Sequence, residues 1–536
     1  MSNFPFLLLL LLLPLAGAIL VTVIGRDPQS KDLAKKVAVG ASLLELLLAI
    51  LMWVSFKPTG PRLQFVTSFN WITAIGAKFS LGTDGIALVM LVLIALLVPI
   101  VMIASWNHNS LGDEINAPDS TDPQLAPSND VARLFAWILV LEVCMVGVFA
   151  ATDVFLFYIF FEIMLVPMYF IIGGYGASQR RAAAMKFFIY SLVGGLVMLA
   201  SVIGLYVISK QDTGKPTFSW DALRQLDLSH TQQVWIFLGF FVAFAIKAPL
   251  VPFHTWLPKA GAEGPVGGSV LLLGILDKVG TFGFLRYCLP IAPWASQKLA
   301  PLVLVLAVIG IIYGAFQAIG ADDIKRLVTY TSIAHFGFIV LGIFAFTTQA
   351  GTGAVLYMVN HGISTGMMFL VVGMVVARGG SRRVRDYGGI FLVAPLLAGF
   401  FVIAGMASLA LPGTNSFVSE FLVLIGSYGT EPVFTIIATG GIVMSALYVL
   451  WLIQRTLHGP ESPLVVARKK LFGDLSKREL WVLSPLVALI LVFGVYPKPI
   501  TDVIKPAVEA TLHTDVGVKD PVPTVGAAAI SDGGSK

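Results

Sequence analysis

Residues 243–258 read AFAIKAPLVPFHTWLP, an apolar run interrupted by Pro249, Pro252 and Pro258. Each proline removes a backbone donor, and Pro249 pushes the residue before it out of the α region, so a helix entering this stretch must break beside Lys247. A second stretch is built alike. In MASLALPGTNSFVSEFL at 406–422, Pro412-Gly413 interrupts the long apolar segment 388–428 ahead of Glu420. A pair of ordinary proline kinks is one reading, since membrane helices tolerate them where neighbours satisfy the freed backbone groups. The other is a pair of discontinuous helices in matching places of two halves, the sequence pointer to a transport path at the midplane.

The rest of the chain has the composition that a membrane location requires. Of 536 residues, 57% are hydrophobic and 12% charged, against roughly 25% charged in a soluble domain. A soluble enzyme is excluded. Apolar runs near 5–24, 37–56, 84–104, 131–150, 152–172, 183–208, 233–258, 265–289, 301–319, 325–346, 352–377, 388–428, 433–455 and 479–497 predict about fourteen transmembrane helices. The broken segments take the fourth place in two consecutive sets of five, and sets of odd length are inverted relative to each other. The predicted fold class is therefore an all-α polytopic membrane protein with two inverted five-helix repeats and two broken helices.

The expected organisation is an N-terminal region 1–130 of three helices plus an acidic loop, a first repeat at 131–290 and a second at 301–455. A connecting loop and last helix follow at 456–497, then a flexible tail at 498–536. Segment 105–130, with Asp113, Glu114, Asp119, Asp122 and Asp130 among Pro, Ser and Asn, reads as a solvated loop. Lys and Arg collect in alternate connections, around Arg26 to Lys36, Arg180 to Lys186, Lys325 to Arg326, Arg378 to Arg385 and Arg455 to Arg478. Positive loops near helix ends stay cytoplasmic, which places both termini outside.

Cys144 and Cys288 lie far apart in apolar runs, so no iron–sulfur or zinc ligand set is available and no metal site is expected. A net charge of +5 is small for this length, and no basic block with interleaved aromatics suggests nucleic acid. The expected partners are the lipid bilayer and other membrane proteins.

A charged side chain near the bilayer centre costs about 2.5–3.5 kcal/mol on insertion scales, so it marks either a partner or a use. This chain has a row of such residues: Glu162 in FLFYIFFEIMLVPMYF, Lys247 beside the first break, Lys278 in LLLGILDKVGTFGFLR, His335 in YTSIAHFGFIV, His361 in LYMVNHGISTGMMF, and Glu420 beyond the second break. Alternating acids, bases and imidazoles, one per helix, are suited to passing a proton laterally through a bundle in steps bridged by water. A single buried histidine is more often a helix–helix hydrogen-bonding residue; the six together favour a relay. Glu45 and Glu142 are read as structural acids within a few turns of an interface, and Asp84 as an N-terminal cap.

The stretches DVFLFYIFFEIMLVPMYF, IKAPLVPFHTWLP, DIKRLVTYTSIAHFGFIVLGI, MVNHGISTGMMF and LALPGTNSFVSEFL resemble the antiporter-like subunits of respiratory complex I, the NADH–quinone oxidoreductase. The likeness runs from about Asp84 to Arg455 and is greatest to the M-type bacterial members, an acid at 420 being the M-type feature where L- and N-type subunits tend to carry Lys. The resemblance implies proton translocation, with Glu162 as the acid paired with Lys247, with Lys278, His335 and His361 as a central relay, and with Glu420 as the outlet. It implies no cofactor in this chain; flavin, iron–sulfur clusters and quinone would be held by partner subunits, beside L- and N-type neighbours in the bacterial inner membrane. Asp277, directly before Lys278, departs from the family pattern. A sodium/proton antiporter subunit would share most of these motifs, and a purely structural bundle is the third reading.

Overall fold

The computed structural model describes residues 4–107 and 130–521. Helices α1 (Phe6–Ile24) and α2 (Lys31–Ser55) lead into an antiparallel hairpin of β1 (Gln64–Ile72) and β2 (Ala77–Thr83), followed by α3 (Gly85–Ala104). Next come α4 (Val131–Ala150), α5 (Val154–Ile163), α6 (Leu165–Tyr175), α7 (Arg180–Thr213), the single turn α8 (Trp220–Leu223), α9 (His230–Lys247) and α10 (Leu257–Glu263). A continuous rod follows, in which α11 (Val266–Leu271), α12 (Lys278–Gly283) and α13 (Leu289–Ile291) are separated by π-helical turns at Leu272–Leu276 and Phe284–Cys288. Then come α14 (Pro293–Gly320), α15 (Ile324–Phe344), α16 (Thr348–Gly379), α17 (Ile390–Val393), α18 (Pro395–Ser408), α19 (Asn415–Tyr428), α20 (Pro432–Leu457), α21 (Pro463–Ala467), α22 (Lys477–Val495) and α23 (Lys498–Glu509). Twelve helical stretches among the described residues are long and apolar enough to cross a bilayer.

Helices that are buried all round take the centre of the bundle. Helices α3, α15 and α16 and the α11–α13 rod are of this kind, whereas α2 buries one narrow stripe, Ala34, Ala38, Ser42, Glu45, Ala49 and Met52, and gives the rest of its surface to the bilayer. Aspartates start several helices: Asp84, Asp130, Asp153 and Asp323 accept from the backbone N–H of Ala87, Arg133, Leu156 and Arg326 at 2.9, 3.2, 3.0 and 3.0 Å. The reading of Asp84 as a cap holds, and its Oδ1 also lies 2.9 Å from Arg286 Nη2.

The tail from 498 is a correction. It continues as α23 and a π-helical turn at Ala510–Val516, because Ile500, Val503, Ile504, Ala507 and Val508 repeat at helical spacing and bury one apolar face. Asp515 then clamps the end, its two oxygens 2.9 and 2.6 Å from Arg62 of the hairpin connection and Oδ1 3.0 Å from Arg224. Arg62, Arg224 and Arg286 all lie over the ring of Trp220, at 4.9, 5.3 and 4.9 Å. Most of the acidic loop 105–130, and the tail beyond 521, lie outside the described residues.

Candidate functional site

The first break has the form its prolines dictate. With Pro249 unable to donate, Leu250 N–H turns back to Ala245 O at 2.9 Å, and the freed carbonyl of Ile246 accepts from Trp256 Nε1 at 2.9 Å. Helix α9 thus ends at Lys247, buried at 1% exposure. Its Nζ has no hydrogen-bond partner among the described residues and lies 5.1 and 5.3 Å from the ring centroids of Phe161 and Phe187. Glu162, next to Phe161 on α5, is within electrostatic reach of Lys247, and its Oε1 is likewise without a hydrogen-bond donor.

Two glycines in the middle of α7 make this meeting possible. A Cβ on Gly194 would lie 2.9 Å from Ile246 Cδ1, and one on Gly195 would overlap the Glu162 carboxyl. The pair sits in LVGGLV at 192–197, a signal present in the sequence but carried by residues without a side chain rather than by ionisable ones. Glycines also seat the next station. A Cβ on Gly280 would come within 2.5 Å of Ala248 N and Phe244 O, so α12 lies directly against the break beside Lys247.

Lys278 opens α12 after a π-helical turn, a feature common where a helix must carry function rather than regular packing. It is fully buried, donates to Leu273 O and lies 2.6 Å from His361 Nδ1. Asp277 Oδ1 is 3.0 Å from Lys278 Nζ, an ion pair in contact, although the angles do not give Asp277 a hydrogen bond. The departure at Asp277 therefore supplies Lys278 with a counter-ion of its own. His361 and His335 follow with ring centroids 5.3 Å apart and nearly perpendicular. Tyr357 lies 5.8 Å from the His335 ring. Tyr357 and Tyr448 are within electrostatic reach of Glu420, and both hydroxyls are buried without a hydrogen-bond partner.

The second break holds its shape through α16. Leu411 N–H reaches back to Met406 O at 3.0 Å, and Ala410 and Gly413 take positive φ of 59° and 94°. Asn360 donates to Asn415 O at 2.7 Å while Asn415 donates to Asn360 O at 3.2 Å, and Ser364 bridges to Asn415 Oδ1 at 2.9 Å. This amide clasp fixes the start of α19 on the helix that carries His361.

The structure thus brings together in one buried row Lys278, His361 and His335, with Lys247 and the half-buried Glu162 beside the break against which α12 packs, and with Glu420 near Tyr357, which borders the His335 ring. Asp277, Tyr357 and Tyr448 join it. Among the described residues no group of three or more His, Cys, Asp or Glu could hold a metal ion. Glu45 and Glu142, read as structural acids, are both fully buried and lie close to each other. Two helices broken beside buried ionisable groups, joined through a polar row inside an apolar bundle, define an antiporter-like ion-translocating membrane subunit.

Comparison with known proteins agrees. The family model described as NADH:quinone oxidoreductase/Mrp antiporter, TM, matches residues 151–445. The chain is 46% identical to NADH-quinone oxidoreductase subunit M of Mycobacterium tuberculosis, covering 98% of this chain and 97% of that protein. It is 36% identical to subunit M of Rhodobacter capsulatus, over 94% and 96%. Among solved structures, a chain of respiratory complex I from Thermus thermophilus is similar at 30% identity and TM-score 0.82, covering 96% of this chain and all of that one. A chain of the Mrp complex from Dietzia shares the fold at 18% identity and TM-score 0.79, over 96% and 98%. The chain belongs to the NADH:quinone oxidoreductase/Mrp antiporter family of membrane subunits, and its similarity is to the M subunit of NADH–quinone oxidoreductase.

Proposed function

We propose that this chain is a proton-translocating membrane subunit of an NADH–quinone oxidoreductase, driven by NADH oxidation and quinone reduction in neighbouring subunits and performing no redox step itself. Flavin, iron–sulfur clusters and quinone are assigned to those neighbours, and L- and N-type antiporter-like subunits are the flanking partners. The chain-length identity to subunit M carries this reading over the sodium/proton antiporter one, since the Mrp likeness speaks to the fold alone.

In the proposed mechanism Lys247 is the switch. Burial disfavours a charged ammonium and a carboxylate nearby favours it, so moving Glu162 toward or away from Lys247 changes its hold on a proton. About a thousandfold change in proton affinity corresponds to about 4 kcal/mol. One charge moved across the membrane costs about 2.3 kcal/mol per 100 mV, so one proton can be driven against roughly 180 mV. The observation that supports the switch is the setting of Lys247 Nζ, buried between two phenyl rings with Glu162 as its electrostatic partner. From there the proton path is Lys278, His361 and His335, with Tyr357 before the outlet at Glu420. Adding the two broken helices to the twelve long spans gives about fourteen crossings, with both termini on the outer side.

The test is proton uptake into vesicles alongside NADH–quinone turnover for Glu162→Gln, normalised to assembled complex. Loss of most of both is expected. Uptake and turnover near the unsubstituted level would remove Glu162 from the mechanism, and ion exchange in vesicles without NADH would restore the antiporter reading.

A further inference from the structure

Outside the relay, two carboxyl groups meet where no charge is compensated. Glu45 lies on the single buried stripe of α2 and Glu142 on the inner face of α4, and both are 0% exposed. Among the described residues none donates to any of their four oxygens, yet the two side chains lie within hydrogen-bonding reach of each other. They sit about one turn beyond a close approach of α1, α2 and α4, where a Cβ on Gly17 would meet Ala41 Cβ at 2.9 Å and Leu139 Cδ1 at 3.3 Å.

The surroundings leave these acids only each other. Helices α1 and α3 contain no ionisable side chain, and the other charges of α2 and α4 (Lys31, Asp32, Lys35, Lys36 and Arg133) all lie near their first turns. The remaining charged groups on elements packed against α4 are Lys78 of β2, Glu162 of α5 and Lys278 of α12. Glu162 faces Lys247, and Lys278 faces Asp277 and His361. Two carboxylates in contact, away from water and without a cation, cannot both remain ionised. A proton held on the carboxyls supplies the pair with the donor that no described residue gives it.

We propose that Glu45 and Glu142 form a proton-binding site between α2 and α4, separate from the relay. In its filled state both groups are carboxylic acids hydrogen-bonded to each other. Loss of one proton to the aqueous phase leaves one O–H donating to one carboxylate, a bonded pair with a single negative charge, and uptake of a proton restores the filled state. Because the two groups titrate jointly, the exchangeable proton belongs to the pair and to neither residue alone.

Infrared spectroscopy of the assembled complex in lipid tests this. The reference is Glu45→Gln/Glu142→Gln, which keeps the shape of both side chains and removes both acids. Wild type minus the double variant should show carbonyl bands of protonated carboxyls that shift in D2O. As pH rises, part of that intensity should convert to a carboxylate band in wild type and not in the variant. If the double variant fails to assemble, each single Glu→Gln variant serves as the reference, with the same expected conversion. Absence of any protonated-carboxyl difference would overturn the proposal in favour of two carboxylates around a bound cation. A band that stays constant at every pH at which the complex remains assembled would overturn it in favour of a fixed structural acid pair.

Discussion

Lys247 is surrounded by ring faces and apolar side chains with one acid in reach, so its two possible roles separate cleanly on substitution. Arginine keeps the charge but cannot release its proton, while alanine removes both charge and base. If Lys247 carries a proton, Lys247→Arg and Lys247→Ala should both assemble and both lose pumping, with Arg no better than Ala in vesicle proton uptake. Near-normal pumping by the Arg variant would mean that the residue is a fixed counter-ion. Asp277 makes a second prediction. Its contact with Lys278 means that Asp277→Asn leaves a fully buried ammonium without a carboxylate in contact, supported by His361, Leu273 O and the face of Phe336. Coupled turnover should fall by about tenfold or more, equivalent to at least about 1.4 kcal/mol, with assembly retained. Its pH profile should also move, because the proton on Lys278 is then held by a different set of groups. Unchanged rate and unchanged profile would reduce Asp277 to a packing residue.

The helices meet where their side chains allow it, and α7 is the clearest instance. Gly194 and Gly195 give α5 and α9 room to bring Glu162 to Lys247. Gly195→Ala places a methyl group in the space of the carboxyl, and overpacking of this kind costs about 1–3 kcal/mol. The expected outcome is an assembled complex whose proton uptake and NADH–quinone turnover are both lowered, as in Glu162→Gln. The adjacent Gly174 of α6 meets nothing within 4 Å, so Gly174→Ala is the control and should pump normally. Equal behaviour of the two variants would show that the close approach is unimportant. The breaks were legible from Pro249 and Pro412-Gly413, since a missing donor acts locally. Trp256 and the Asn360–Asn415 clasp, which repair the broken backbone, come from residues distant in sequence or unremarkable in type.

For the molecule as a whole, the charge bias of the loops makes a sidedness prediction. A cysteine placed at Ser381 should be labelled only from the cytoplasmic side and one at Thr430 only from outside; the reverse pattern would invert the topology. In the docked tail, the side chain of Asp515 is 2% exposed and holds two arginines. Removing one partner of a buried pair costs about 3–5 kcal/mol, so Asp515→Ala should release the segment 498–516 to faster hydrogen exchange while the exchange of α16 is unchanged. Unaltered exchange across 498–516 would mean that the apolar face of α23 holds the tail without the clamp.

Hydropathy, proline placement and the row of buried charges depend on each residue's own preference for water, lipid or helix, and the chain carries them in order of sequence. They determined the membrane class, the two broken helices and the six ionisable residues of the candidate relay. Which of those residues touch was decided only by packing. Lys278 meets His361 across 83 residues, Glu45 meets Glu142 across two helices, and Gly195 opposes Glu162. The docked tail belongs to the same group, because the Arg62–Asp515 ion pair joins residues far apart in the chain. Such contacts are set by how close two backbones can come, and that distance is fixed by all the side chains between them at once.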